Sequence, residues 1–508
     1  MIFVTYRTYQ DKYFEARALA QSGVLKVRWT DWLAASPVPL SDQVNLTDKV
    51  EGMLLGLAVG DSLGNSSESL MPDERRNRYG YIENYLPNRH ANGQCIGLPS
   101  DDTQMAFWTL EQLIANGCLE PQYLGLAFSR RRIFGIGKSV RKFLSKFKAG
   151  TSWRHSGAPS AGNGALMRIA PVLIPYLKEP SCNLWSDTLL AAHLTHDDAL
   201  SNVSCVAFVD LLWKLLGMST APEPAWWITT FIETCECIES DQDYQPRAGH
   251  PIGFSGTLSQ LLKQYVLPAI EQKRPVLEAC SEWHSGAYLL ETVPSALYIL
   301  ARHGSDPRAA ILSAVNDTKD NDTIAAIVGA AVGALHGLAA LPDAWIAQLS
   351  GRTEASDDGR VFELLARAGA EFKYGVSAEV QSRVPNDALK QPLIQSRDLE
   401  EDALSQGQSI TVHSPTLWVK VFGMLNQSWA AIDNLPAGGV RIWFMDDHGR
   451  VFDKLDYQLR REARDALRRN GWGVADKDFI EIAGFSNSNH SWDEGGPRHY
   501  SSGQYWIY

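Results

Sequence analysis

The sequence predicts a mainly α protein, an all-helical core with a short N-terminal extension and a small C-terminal α+β domain. Three observations predict it. Apolar residues recur at helical spacing through much of 49–375, convincing period-two alternation is scarce before about residue 375, and two segments carry glycine at every fourth position.

Taken in order, residues 1–48 offer a candidate strand (IFVTYR), a helix over Asp11–Gln21 and a second candidate strand (LKVRW). They read as a separate cap or extension without chemistry. The helical domain, 49–375, opens on GMLLGLAVGDSLG, where Gly56, Gly60 and Gly64 form a small-residue ridge along a helix. A second ridge, Gly329, Gly333 and Gly337, lies in TIAAIVGAAVGALHGLAAL. Two such ridges let helix backbones approach closely. Between them, helical apolar spacing recurs in Met105–Ile114, Leu189–Leu194, Val206–Leu216, Leu258–Ile270 and Ala296–Ala301. Thr323–Leu341 is uncharged over nearly a membrane-spanning length. It is Ala-rich, contains His336 and starts on Asp320-Asn321-Asp322, so it reads as a buried core helix. Residues 376–412 are polar with little apolar period and read as a linker. Residues 413–508 then offer a hairpin around Asp447-His448-Gly449, a helix over Tyr457–Asn470 closed by Gly471, and a strand in DFIEIAGF.

Composition narrows the function. With 508 residues, 45% hydrophobic and 21% charged, the chain reads as a soluble globular protein of two domains plus an extension. A net charge of −11 disfavours broad affinity for nucleic acid and suits a small-molecule or protein substrate. The cysteines at 95, 118, 182, 205, 235, 237 and 280 include no C-x-x-C pair, which argues against zinc or redox chemistry and for a reducing compartment. The N-terminal residues do not resemble a signal peptide, and a cytoplasmic location is expected.

Chemistry concentrates in four segments. Ser100-Asp101-Asp102-Thr103 and Asp320-Asn321-Asp322-Thr323 each open an apolar helix with carboxylates and a hydroxyl. Such oxygen ligands suit magnesium, manganese or calcium, and two clusters could hold two ions. The same residue types are also preferred helix N-caps, the competing structural reading. Glu68 follows the first glycine ridge in a polar turn, Asn65-Ser66-Ser67, as a candidate general acid or base. Ser160-Ala161-Gly162-Asn163-Gly164 exposes backbone N–H groups ahead of an apolar run and could cradle a pyrophosphate.

In this order the segments resemble the ADP-ribosylglycohydrolase family, through GLAVGDSLG, SDDTQM, SAGNGALMRIAP, THDDALSN, GAYLLETVPSALYIL and NDTKDNDTIAAIVGAAVGALHG, over about residues 49–345. The resemblance implies two magnesium ions, with manganese a substitute, held by Ser100, Asp101, Asp102, Asp320, Asp322 and Thr323. It implies a catalytic or substrate-gating role for Glu68, with the metal-bound Asp102 as second candidate. Ser160, Gly162, Asn163 and Gly164 match the pyrophosphate loop, His196 a ligand-contacting position, and Gly137 a glycine beside the distal ribose. Where many relatives have Gly-Gly-Asp-Thr-Asp-Thr, this chain has Thr318-Lys319-Asp320-Asn321-Asp322-Thr323, so ligand types survive and spacers differ.

The implied activity is magnesium-dependent hydrolysis of the bond between ADP-ribose and a modified protein or other macromolecule. The alternative is an immunity-type protein that neutralises an ADP-ribosyltransferase toxin by occluding it. Asp61 reads as a cap or brace rather than a ligand, and His193, His336 and Cys235-x-Cys237 as core or surface residues. The Arg460, Arg461, Arg464, Arg468, Arg469 face reads as solvated, with a recognition role for 413–508 as the functional alternative.

Overall fold

A computed structural model describes residues 10–247, 251, 253–385, 388–390, 417–422, 426–435, 438–445 and 451–474. They divide into two compact units, one within 9–393 and one within 394–508. The first is helical, and in the second a small sheet carries one helix.

The helical unit is organised by the two glycine ridges, which lie on helices Leu46–Gly64 and Asn321–His336. The helices run antiparallel and touch backbone to backbone. A Cβ built on Gly52 would lie 2.8 Å from the Gly333 carbonyl oxygen, one on Gly56 2.9 Å from the Gly329 carbonyl carbon, and one on Gly60 2.7 Å from the Ala326 nitrogen. Only glycine permits this approach, which falls well inside ordinary carbon contact distances. The second ridge helix is buried from Asn321 to Leu335, as expected of a core element. Among the described residues, Ala199–Leu216 alone is long and apolar enough to cross a membrane, and 94% of it is buried within the protein.

The N-terminal extension departs from expectation. Helix Gln10–Gln21 forms, but LKVRW adopts no strand. Among the described residues no strand pairs with it, and the Arg28 amide donates to the carbonyl of Ile238, at a helix C-terminus. The segment also packs on the helical body rather than standing apart, since Trp185 and Trp213 donate their indole N–H groups to the Ala35 and Val38 carbonyls, each at 2.8 Å. Candidate strand IFVTYR lies outside the described residues.

In the C-terminal unit, β1 (Leu417–Phe422), β2 (Asn426–Asn434), β3 (Val440–Met445), β4 (Val451–Tyr457) and β5 (Gly473–Val474) form an antiparallel sheet in the order β4-β3-β2-β1-β5. β3 and β4 are the two arms of the expected hairpin. Helix Arg460–Arg469 lays Ala463, Ala466 and Leu467 on Ile432, Ile442 and Phe444, and its arginines at 461, 464, 468 and 469 are exposed. Gly471 follows at φ +77°, a left-handed conformation suited to a helix end. The expected strand DFIEIAGF lies outside the described residues.

Candidate active site

The antiparallel glycine contact has a chemical result. It brings the C-terminal end of the first ridge helix, with Asp61 and the turn to Glu68, against the N-terminal end of the second, with Asp320 and Asp322. Gly64 continues the contact there, because a Cβ on it would lie 2.5 Å from the Asp322 nitrogen. Helix Asp101–Asn116 adds Asp101 and Asp102 from the side. Carboxylate oxygens of Asp61, Asp102 and Asp322 come within 4.8 Å of one another, and so do those of Glu68, Asp320 and Asp322.

Neither acidic turn serves as an ordinary helix cap. Ser100 and Asp320 occupy the N-cap positions, yet neither side chain makes a capping hydrogen bond. Ser100 Oγ instead donates to Asp61 Oδ1 at 2.5 Å, and Thr103 Oγ1 donates to Asp61 Oδ2 at 2.5 Å. The Ser100 and Thr103 amides and the Asn65 side chain also donate to Asp61. With both of its oxygens engaged, Asp61 is a brace that fixes the Ser100–Thr103 turn. Asp102 Oδ1, by contrast, is buried without a hydrogen-bond partner and free to meet a cation.

Three further interactions set the second turn. Asn163 donates from Nδ2 to Asp320 Oδ2 at 2.6 Å and to Thr292 Oγ1 at 3.1 Å, so the amide hydrogens of the glycine-rich loop's asparagine hold Asp320. Buried Arg75 donates to the Thr318 carbonyl at 2.8 Å, supporting the turn from behind. Residues 284–289 then tie loop to turn: the Asn163 amide donates to the Ala287 carbonyl, the Leu289 amide to the Ala161 carbonyl, and the Asp320 amide to the Ser285 carbonyl. His284 and Ser285 take φ of +69° and +38° to make that connection. Thr292 sits in the GAYLLETVPSALYIL run singled out in the sequence, whereas the role of Arg75 had no local signal, because the Thr318 carbonyl it supports is 243 positions away.

These elements enclose a cavity of about 480 Å³. It is lined at one end by Glu68, Asp101, Asp102, Asp320, Asp322 and Thr323. Gly137, Ser160, Gly162, Asn163, Gly164 and His196 line it elsewhere, so the structure gathers the sequence's candidate residues there except Ser100, which is hydrogen-bonded to Asp61 and is not among the lining residues. Lys138, Lys142 and Arg247 also line the cavity and were missed, since an isolated basic residue has no distinguishing spacing.

Residues 42–373, well over half the chain, match the ADP-ribosylglycohydrolase family. The chain belongs to that family. It is 24% identical over 332 residues to the ADP-ribosyl-[dinitrogen reductase] glycohydrolase of Rhodospirillum rubrum, covering 64% of this chain and 98% of that one. It is 26% identical over 340 residues to the ADP-ribosylarginine hydrolase Tri1 of Serratia proteamaculans, covering 63% and 80%. To the human ADP-ribosylhydrolase ARH3 it is 23% identical over 338 residues, covering 60% and 90%. As a family member it is an enzyme, a hydrolase of glycosidic bonds to ADP-ribose.

Electrostatics in the glycohydrolase site follow from crowding. Burial, then the neighbouring Asp61 charge, pushes Asp101 up to about 8. Burial pushes Asp320 up to about 6, and Asp102 and Asp322 rise well above the usual carboxylate range for the same reason, with neighbouring carboxylates adding to it. Glu68 is raised by lost hydration, then by Asp320 and Asp61. So many carboxylates cannot share one buried end as bare anions. Protons or cations must neutralise them, and a cation that does so deprotonates them.

Proposed function

We propose that this chain is a magnesium-dependent ADP-ribosylglycohydrolase that releases ADP-ribose from a modified macromolecule, with ADP-ribosylated protein as its substrate class. The observation that carries the reading is one cavity with a carboxylate cluster at one end and a glycine-rich loop beside His196 elsewhere. The names of the relatives, which specify ADP-ribosylated dinitrogen reductase and ADP-ribosylarginine, support protein as the carrier.

The residues fit a hard divalent cation. All the donors are oxygens, the carboxylates of each group of three lie within 4.8 Å of one another, and the partnerless Asp102 Oδ1 is an acceptor in search of a positive charge. Asp102 and Asp322 would hold one ion, and Asp320 and Asp322 a second, with Asp101, Thr323 and Ser100 completing the sets directly or through water. Manganese offers the same coordination preference. When bound, the ions supply Lewis-acid contacts to ribose hydroxyls and a polarised water.

The chain's own groups do the rest. Asp61 fixes the first turn and Asn163 the second, which holds the carboxylates in one geometry before substrate arrives. The glycine-rich loop and Gly137 admit the diphosphate and distal ribose without steric hindrance, since a Cβ on Gly137 would meet nothing within 4 Å. As the glycosidic bond breaks, the anomeric carbon gains positive character that nearby carboxylates stabilise. Glu68 carries the acid–base role: it lines the cavity beside the carboxylate cluster and remains exposed, so it can exchange protons with solvent.

The test is release of ADP-ribose from ADP-ribosylated protein, with and without magnesium, by wild type and by Asp102→Asn combined with Asp322→Asn. The double variant should lose at least about 100-fold in rate while keeping its far-ultraviolet circular dichroism. Full activity in excess chelator would overturn the metal assignment.

A further inference from the structure

Behind the cavity wall lies a buried chain of hydrogen bonds that the proposed chemistry leaves unused. Arg168 Nη2 donates to the Ala191 carbonyl and to Thr195 Oγ1, each at 2.8 Å. Its guanidinium carbon lies over the Phe128 ring, 5.1 Å from the centroid. Thr195 Oγ1 in turn lies 2.9 Å from His196 Nδ1. Arg168 and Thr195 are fully buried and His196 is 2% exposed.

The direction of each bond follows from counting hydrogens. Arginine only donates, so Thr195 Oγ1 accepts from it. A hydroxyl also has one hydrogen to give, and among the described residues His196 Nδ1 is the remaining partner of Thr195 Oγ1. A hydrogen pointed elsewhere would be a stranded buried donor. Nδ1 therefore accepts, and the single N–H of a neutral imidazole sits on Nε2. The ring is neutral because burial, reinforced by the Arg168 charge, pushes it down to about 3. Nε2 faces the glycine-rich loop: a Cβ built on Gly164 would lie 3.3 Å from it and one on Gly162 3.6 Å. The missing side chains leave that approach open to a ligand.

We infer that Arg168 and Thr195 are positioning residues that lock His196 in its Nε2–H tautomer, so that the imidazole meets a ligand oxygen as a donor and abstracts no proton. The oxygen is one of the ADP-ribosyl group, and that identity alone rests on the function proposed above. A fixed donor suits an anionic diphosphate oxygen or a ribose oxygen. It also leaves acid–base work to the carboxylates.

The tautomer can be read without any substrate, by two-bond ¹H–¹⁵N correlation spectra of the full-length protein labelled at histidine nitrogen, with His196 assigned from the signal lost in His196→Asn. Wild type should give an unprotonated Nδ1 and a protonated Nε2. A protonated Nδ1 would overturn the inference whatever the enzyme's substrate. Thr195→Val keeps the shape and removes the hydroxyl, so the two nitrogen shifts should average or exchange places, and calorimetric affinity for free ADP-ribose should fall about tenfold. Thr195→Ser should restore both. An unchanged tautomer and affinity in Thr195→Val would also overturn it. Failure of wild type to bind ADP-ribose, with the Nε2–H tautomer observed, would count against the proposed function and leave the positioning role standing.

Discussion

Gly56→Ala tests whether the glycine contact is what assembles the site. The new Cβ would stand 2.9 Å from the Gly329 carbonyl carbon and closer still to its oxygen. Ordinary carbon contacts are about 3.5–4.0 Å, so the helices must separate by roughly 1 Å. The obstacle is backbone, which cannot rotate away as a side chain would. Overpacking of this kind costs about 1–3 kcal/mol, and a rigid neighbour puts this case near the upper end. Alanine's better helix propensity returns about 1 kcal/mol, leaving a net loss of about 2 kcal/mol. With about 2.1 cal/mol/K of unfolding entropy per residue, a unit the size of 9–393 loses roughly 1–1.5 °C per kcal/mol, so scanning calorimetry should record a fall of roughly 2–3 °C. The same separation moves Asp322 away from the Asp61-braced turn, and magnesium affinity by titration calorimetry should fall at least about tenfold. Gly217→Ala is the control, because its φ is −80° and the nearest obstacle is a Leu40 methyl at 3.4 Å. A Gly56→Ala protein with Tm within about 1 °C of wild type and unchanged cation affinity would refute the reasoning.

Three further outcomes follow from the site and the packing around it. Asp61→Asn keeps the shape but removes the charge that four donors of the Ser100–Thr103 turn address, so the rate should fall at least about tenfold with only a small change in Tm; an unchanged rate would show that the turn needs no brace. In chelator, stability should decline as pH rises from about 4 to 8: folded Asp320 and Asp101 titrate near 6 and 8, above the unfolded value of about 3.9, so the folded state holds the extra protons and each costs up to about 1.4 kcal/mol per pH unit. Magnesium should flatten that slope, and a Tm that rises with pH in chelator would contradict it. A fragment of residues 9–393 should fold and release ADP-ribose from a small model compound, whereas 49–375 should be less stable, because it exposes the indoles of Trp185 and Trp213 that the extension covers; equal Tm values would show that the extension contributes nothing.

Much of the site was legible because its signals are local. A helix start needs its first turn, and an acidic pair followed by an apolar run marks both the element and its unusual charge, as at Asp101-Asp102 and Asp320-Asn321-Asp322. Glycine at every fourth position marks a helix face on which another backbone can rest. The hairpin of β3 and β4 was legible for the same reason, from a turn between alternating segments. LKVRW was misread because its alternation fits a strand, while among the described residues no strand pairs with it and the Ile238 carbonyl takes the Arg28 amide instead.

The sequence by itself determined the helical class, the two small-residue ridges, and the residue types able to hold a hard cation. It could not say that the ridges face each other, since periodicity describes a surface and never names its partner. Only the tertiary structure decided that 257 positions of separation collapse to contact between Gly64 and Asn321. The same folding decided which neighbour Asp61, read as a cap or brace, supports, namely another helix's first turn, and committed the Asn163 amide to Asp320. Each of these roles depends on distance and on which lone pairs are already occupied. Both are fixed by packing between segments far apart in the chain.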